Sequence, residues 1–275
     1  MSGDVIRGDG MSGAATSGAA RGPLLSVTGL HHWFGGLHVI NGVDFSCAPG
    51  IIKGIIGPNG AGKTTLLNLV AGKMRPASGS IVFDGASAAG LPSHRLAERG
   101  IARTFQATRL FPNMTVLENV MVGRHLRGRS GFLAGLGGPL FTRREDLSMR
   151  DACMQILGSL GIEGLAGREA RALPFGRQRV VELARAVAAG PKLLLLDEPA
   201  CGLNPAETEE MGRRISDLRG RGMTILIVEH DMSLVMGICD EVLVLSYGSV
   251  IAEGTPREVQ ENDEVISVYL GAGDA

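Results

Sequence analysis

The most constraining feature of this sequence is GPNGAGKT at positions 57–64, which matches the pattern G-x-x-x-x-G-K-[S/T]. The apolar run GIIKGII (50–56) directly precedes the motif and predicts a short strand, and the residues from Lys63 to about Met74 predict a helix. In this setting, successive backbone N–H groups and a helix N-terminus bind a phosphate. The segment therefore predicts a phosphate-binding loop in an α/β fold.

The side chains of this loop have separate expected roles. The ammonium of Lys63 is expected to reach the β- and γ-phosphates of a nucleotide, and the Thr64 hydroxyl to bind Mg²⁺. A chance glycine-rich turn is the alternative interpretation, and the flanking strand and helix argue against it. The predicted nucleotide-binding residues of this segment are Gly57, Pro58, Asn59, Gly60, Ala61, Gly62, Lys63, Thr64 and Thr65.

Two further apolar runs, KLLLLDEP (192–199) and MTILIVEHDM (223–232), predict parallel strands that are buried on both faces. Their polar residues follow the apolar ones, at the sheet edge where α/β folds bind ligands. We expect Asp197 to hold Mg²⁺ directly or through water. Glu198 is the expected base that accepts a proton from attacking water, the alternative being a solvated acid at a strand end.

The other segments complete a mixed or parallel α/β core. The alternating pattern from Leu24 to Gly50 predicts an N-terminal antiparallel β subdomain, and AETEEMGRRISDLRG (206–220) predicts a crossover helix. A hairpin is expected around Tyr247 and Gly248. We interpret residues 1–22 as a disordered extension, residues 23–275 as one nucleotide-binding domain, and about residues 107–178 as an inserted α-helical subdomain.

Composition narrows the function classes. The formal net charge is −1, which indicates no general affinity for nucleic acid. The four cysteines have no C-x-x-C spacing, which indicates reduced thiols in the cytosol. No apolar run approaches the roughly 20 residues of a membrane span, so we expect a soluble protein that serves a membrane from outside it.

The order of these motifs resembles the ATP-binding subunits of ABC transporters. The phosphate loop is followed by RTFQ (103–106), LPFGRQR (173–179), LLLLDEP (193–199), CGLNPAE (201–207) and IVEHD (227–231). The resemblance covers the chain from about residue 24 and implies a P-loop NTPase fold of the ABC type. It implies ATP and Mg²⁺ as cofactors, and ATP hydrolysis coupled to transport across a membrane.

The resemblance also assigns roles to single residues. It implies that Gln106 contacts Mg²⁺ or water and senses the membrane partner, and that His230 holds the γ-phosphate. Glu198 would be the catalytic base, and Phe34 in WFGG would stack on adenine. Trp33 and Phe34 alternate on a strand, so a core position for either is the other interpretation. Asn204 replaces the Asp that many relatives carry, in a segment that communicates across the dimer.

The segment LPFGRQR resembles the signature LSGGQ, which contacts ATP held by the opposite subunit. Leu173 and Gly176 keep their places, whereas Pro174, Phe175 and Arg177 replace Ser, Gly and Gln. Pro174 has neither a hydroxyl nor an N–H, and one lost hydrogen bond to a charged phosphate costs about 1.5–3 kcal/mol. Arg177 offers a charge-assisted contact instead.

The segment has an aromatic residue, Phe175, in the third signature place, followed by Gly-x-Gln-Arg. In this it resembles the ATP-binding subunits of branched-chain (hydrophobic) amino-acid importers. That likeness implies permease subunits, a second ATP-binding subunit in a homo- or heterodimer, indirectly a periplasmic solute-binding protein, and a peripheral location on the cytoplasmic face of the cell membrane. Lipopolysaccharide export, urea or amide import, and a soluble ABC ATPase of repair or translation are the alternatives. The glycine-rich insertion at 131–141 has two open interpretations, a contact with permease or lipid and a loop packed on its own subdomain.

Overall fold

The computed structural model describes residues 22–104, 109–124 and 139–270, with the side chains of 139–146 and 269–270 excluded. Three of the expectations above lie outside the described residues. They are the disordered extension as far as residue 21, the role of Gln106, and the insertion at 131–141, of which only the backbone of 139–141 is described.

The main sheet of the described chain has the strand order β10-β9-β3-β8-β7-β6. Its strands are β3 (Ile52–Ile56), β6 (Ile101–Arg103), β7 (Leu193–Asp197), β8 (Thr224–Val228), β9 (Glu241–Ser246) and β10 (Ser249–Gly254). Neighbouring strands from β6 to β9 are parallel, and β10 pairs antiparallel with β9. Every residue of β3, β7 and β8 is buried, as the apolar runs predicted. Their carboxyl ends share one edge of the sheet.

A second, antiparallel sheet covers one side of this core, as the alternating N-terminal pattern predicted. Its order is β2-β1-β4-β5, with β1 (Leu25–Phe34), β2 (Leu37–Cys47), β4 (Ser78–Phe83) and β5 (Ala86–Ser87). Inward-facing residues such as Val27 and Ile40 share a hydrophobic cluster with Leu66 and Leu195. This cluster fixes the second sheet against the segment that follows β3.

The helices are α1 (Lys63–Val70), α2 (Ser93–Arg99), α3 (Val116–Arg124), α4 (Pro139–Ser159), α5 (Phe175–Ala188), α6 (Pro205–Gly220), α7 (Met232–Ile238), α8 (Pro256–Gln260) and α9 (Asp263–Leu270). Helix α1 is shorter than predicted because Gly72 has φ +63, and a Cβ there would lie 2.2 Å from Leu91 O. Helix α1 therefore ends at Val70, four residues before the predicted end at Met74. Within the described ranges, none of the helices combines the length and apolar character of a membrane span.

Helices α3 and α4 lie in sequence between β6 and β7 and pack on α5. Buried side chains of all three, including Val120, Leu157 and Val181, belong to the same hydrophobic cluster as Leu194 and Ile227 of the main sheet. The helical insertion therefore shares a core with the sheet. Helix α5 is the element common to both, because it begins within the predicted insertion and ends beside β7.

Candidate nucleotide-binding site

The phosphate loop connects β3 to α1, and residues of both sheets restrain its conformation. Gly57 has φ +150, and a Cβ there would lie 2.1 Å from Leu245 O. Gly62 has φ +100, and its Cβ would lie 2.8 Å from Val39 O. The N–H of Gly248 donates to Ala61 O over 3.1 Å. Both sheets thus hold the loop in a conformation that only glycine adopts at these positions.

Lys63 begins α1 and is almost buried, with 8% of its surface exposed. Its Nζ donates to Gly57 O over 2.6 Å and to Pro58 O over 2.9 Å, so the ammonium lies within the curve of the loop. Burial lowers the pKa of Lys63, and the negative charge of Glu198 opposes that shift. Thr64 and Thr65 follow it on the first turn of α1, with Thr64 exposed.

Asp197 is the last residue of β7 and is buried. Its Oδ2 accepts a hydrogen bond from Arg103 over 2.8 Å, and its backbone N donates to Thr104 Oγ1 over 3.3 Å. Among the described residues, no donor lies within hydrogen-bonding distance of Asp197 Oδ1. A buried carboxylate oxygen without a donor is suited to bind a cation or its water, so Asp197 fits the expected Mg²⁺ ligand.

Glu198 follows Asp197 in a left-handed backbone conformation, with φ +47. Its N–H donates to Val228 O over 2.9 Å, and its carbonyl accepts from the N–H of Cys201 over 3.1 Å. A non-glycine residue in this conformation is strained, and such residues are concentrated at functional sites. The strain turns the chain sharply at the sheet edge, directly after the expected metal ligand.

Glu229 and His230 follow β8, the next strand along the edge. The His230 side chain is 59% exposed, whereas Glu229 is fully buried. Glu229 Oε1 accepts from the N–H of Ala200 over 2.8 Å, and Oε2 accepts from the N–H of His230 over 3.1 Å. Burial raises the pKa of Glu229, and these backbone donors oppose that shift.

Phe34 lies at the end of β1 and is 51% exposed. Its ring meets the edge of His32 with centroids 4.9 Å apart. Trp33 is 42% exposed and stacks on His38 at 4.2 Å. A core position for either ring is therefore wrong, because both lie at an open strand end before the turn at Gly35. Phe34 remains available for stacking on a base.

The signature segment leads into α5. Leu173 is buried, whereas Pro174, Phe175 and Arg177 are exposed. Pro174 is the N-cap residue of α5, with φ −56 and ψ 152, and makes no side-chain capping hydrogen bond. Gly176 is buried, and a Cβ there would lie 2.3 Å from Glu207 Oε1. The start of α5 therefore has no side-chain cap, and Glu207 packs against it at Gly176.

The signature segment contacts the loop after β7 in the same chain. The Phe175 ring lies 3.0 Å from the place of a Cβ on Gly202. Arg179 lies 5.1 Å over the ring and donates to Cys201 O over 3.4 Å. Asn204 is the N-cap of α6 and forms a capping box with Glu207. The Phe175 ring thus connects the start of α5 to the loop after β7, and a glycine at position 175 would not make this contact.

The structure brings the phosphate loop, Asp197, Glu198 and His230 to one edge of the main sheet, and the predicted roles of their side chains stay predictions. Gln106 lies outside the described residues. Sequence reasoning assigned no role to Glu229 or to Arg179. For Glu229 a signal was present, because an acid directly after an apolar strand is the same feature that singled out Asp197.

The chain is similar to known proteins in sequence and in structure. The family model "ABC transporter" matches residues 40–201, and the model "Branched-chain amino acid ATP-binding cassette transporter" matches residues 249–275. The chain is 43% identical over 251 residues to the high-affinity branched-chain amino acid transport ATP-binding protein BraF of Pseudomonas aeruginosa, which spans 90% of this chain and 98% of that protein. It is 44% identical over 250 residues to LivG of Escherichia coli, a protein of the same description, with the same coverage.

A solved structure supports the same relationship. The chain superimposes with a TM-score of 0.79 on the ADP conformation of an ATP-binding cassette of an ABC transporter. The identity is 30%, and the match covers 90% of this chain and 99% of that one.

Proposed function

This chain belongs to the ABC transporter family of ATP-binding proteins, and we propose that it hydrolyses ATP to drive the import of branched-chain amino acids through a membrane permease. The observation that carries the choice of solute is the match of residues 249–275 to the branched-chain group, a segment outside the general ABC match. Lipopolysaccharide export, urea or amide import, and a soluble role in repair or translation are the competing outcomes.

In the proposed reaction, Lys63 and the N–H groups of the phosphate loop hold the β- and γ-phosphates of ATP. Glu198 accepts a proton from the attacking water, and His230 holds the γ-phosphate. Phe34 stacks on the adenine base. The catalytic effect is mainly positioning and charge stabilisation, because phosphoryl transfer requires little covalent chemistry from the protein.

Bound Mg²⁺ would neutralise charge on the transferred phosphoryl group. We propose Thr64, Asp197 and Gln106 as the residues that hold it, directly or through water. Asp197 Oδ1 supports this assignment, because within the described ranges it is buried without a donor. Arg103 holds the other carboxylate oxygen in place over 2.8 Å.

The proposed partners are permease subunits, a second ATP-binding subunit in a homo- or heterodimer, and indirectly a periplasmic solute-binding protein. In the dimer, Leu173 to Arg177 of one subunit would close over the ATP of the other. We propose that the chain lies on the cytoplasmic face of the cell membrane, bound to the permease.

A cleft between the core and the helical insertion supports this docking. It has a volume of about 820 Å³ and is mostly apolar, with Leu96 and Phe111 among its lining residues. Lys73, Arg109 and Arg185 also line it. We propose that it receives a cytoplasmic helix of the permease that presents apolar side chains and an acidic residue, because the charged groups of the cleft are mainly basic.

Reconstitution tests the proposed function. The chain, its partner ATP-binding subunit, two permeases and the solute-binding protein from the same gene cluster would be assembled in proteoliposomes. We expect ATP-dependent uptake of radiolabelled leucine, isoleucine and valine, and none of urea or acetamide. Uptake of an amide but not leucine would contradict the solute, and association with ribosomes or DNA in place of a permease would contradict transport.

Pro174 offers a test of the dimer. Replacement by Ser restores a hydroxyl that can bind the opposite phosphate and cap α5, so ATP-driven dimerisation should strengthen by about tenfold or more. The measurement is the dimer dissociation constant in ATP by analytical ultracentrifugation, in chains that also carry Glu198→Gln. Pro174→Ala is the control, since it removes the ring without adding a hydroxyl. Equal constants for Ser and Ala would show that the hydroxyl has no effect.

A further inference from the structure

Glu229 is a charged residue of the sheet edge to which the proposed reaction assigns no role. It follows the buried strand β8, and none of its surface is exposed. Burying a carboxylate is unfavourable unless donors satisfy it, so its hydrogen-bond partners show what it holds. They are the backbone N–H groups of Ala200, over 2.8 Å, of His230, over 3.1 Å, and of Asp231.

The first of these donors belongs to the turn of Glu198. Glu198 has φ +47, and strained conformations persist only where the surroundings hold them. Two hydrogen bonds hold this one, from the Glu198 N–H to Val228 O and from the Cys201 N–H to Glu198 O. The bond from Ala200 to Glu229 is a third, and it ties the middle of the turn to the next strand.

The second donor belongs to the residue proposed to hold the γ-phosphate. The His230 side chain is 59% exposed, so little packing restrains its direction. Its Nδ1 lies 3.8 Å from Glu229 Oε2. Its backbone is restrained by the bond from its N–H to Glu229 and by the start of α7, where Asp231 Oδ1 accepts from the N–H of Leu234 over 3.1 Å. The position of the imidazole therefore depends on the segment that Glu229 anchors.

We propose that Glu229 is a positioning residue that links the Glu198 turn to the His230 segment and keeps both at a fixed separation across the γ-phosphate. One buried carboxylate bridges the loops after two adjacent strands, which is an arrangement that holds two reacting groups in register. This inference rests on the roles proposed above for Glu198 and His230. It predicts that disturbing Glu229 affects the chemical step more than nucleotide binding. The Glu229 side chain bonds the segments after β7 and β8, whereas only its backbone N–H bonds Ile55 of β3, next to the phosphate loop.

The test is steady-state ATP hydrolysis by Glu229→Gln in the full transporter complex. Gln keeps the shape, but its NH₂ group faces a backbone donor, so one of the two links is lost. We expect kcat to fall by about tenfold or more with KM for ATP within about threefold of wild type, since misplacement of catalytic groups by about 1 Å lowers rates strongly. Turnover is counted per bound nucleotide, so that misfolded molecules do not contribute.

Glu229→Asp tests the bond from Ala200 separately from the bond from His230. It also keeps the proposal testable if the Gln variant does not fold. Asp keeps the charge and the local bond to His230, but it is shorter by about 1.5 Å and does not reach Ala200. We expect a kcat loss here as well. Glu241→Gln is the control, because Glu241 pairs with buried Lys53 over 2.7 Å away from the nucleotide site. We expect it to leave kcat unchanged.

A kcat near wild type in both Glu229 variants would overturn the proposal, as would an equal loss in Glu241→Gln. A normal kcat in the Asp variant alone would also overturn it, because the link to Ala200 would then be unnecessary. These results differ from failure of the proposed function, which would appear as no ATP-dependent uptake of leucine, isoleucine or valine by the wild-type complex.

Discussion

Replacement of Glu198 by Gln is expected to abolish steady ATP turnover, with kcat falling by about 100-fold to 10,000-fold, the usual contribution of a general base. Gln has the same shape, so the left-handed backbone of residue 198 and its hydrogen bonds to Val228 and Cys201 should persist. Its amide does not accept a proton from water. The phosphate loop is unchanged, so nucleotide should remain bound, in a closed dimer.

The measurement combines a phosphate-release assay with gel filtration in ATP, which separates monomer from dimer and reports retained nucleotide. Glu209→Gln is the matched control, because Glu209 is an exposed acid on α6 that pairs only with Arg213 among the described residues. Normal turnover in Glu198→Gln would show that another group is the base. Loss of nucleotide together with turnover would indicate that Glu198 contributes to binding.

Replacement of Lys63 by Ala should weaken ATP binding by about 100-fold or more. Each hydrogen bond to a charged group contributes about 1.5–3 kcal/mol, and about 1.4 kcal/mol corresponds to a factor of ten. The ammonium now lies against Gly57 O and Pro58 O, so it needs only to turn from these carbonyls to reach the phosphates. Ala removes the only side-chain charge that we assign to phosphate binding within the loop.

Isothermal titration with ATP and Mg²⁺ measures this effect directly. Lys73→Ala is the control, because Lys73 is an exposed lysine just beyond α1 and outside the loop. Its affinity for ATP should match wild type. Lys63→Arg should not restore binding, since the planar guanidinium is larger than the ammonium and the site exposes only 8% of Lys63. Unchanged affinity in Lys63→Ala would contradict the phosphate-loop assignment.

Much of the fold was predictable because its determinants are local. The buried strands β3, β7 and β8 are continuous apolar runs, and α6 shows its buried face in Met211, Ile215 and Leu218. The predicted ABC-type fold and family were confirmed by the comparisons. The end of α1 was missed, because the chain leaves the helix where Gly72 packs against Leu91, which is distant in sequence.

The sequence by itself determined the phosphate loop, because one short segment supplies the glycines, the lysine and the helix start that bind phosphate. It also determined which strands end in acids. Only the tertiary structure decided which of these groups support each other. The Glu229 carboxylate reaches the N–H of Ala200 because β8 lies beside β7 in the sheet, and the Phe175 ring at the start of α5 packs on Gly202 in the loop after β7. These two contacts join residues that are 27 and 29 positions apart in the sequence. They depend on strand order and on packing, and a local sequence pattern specifies neither.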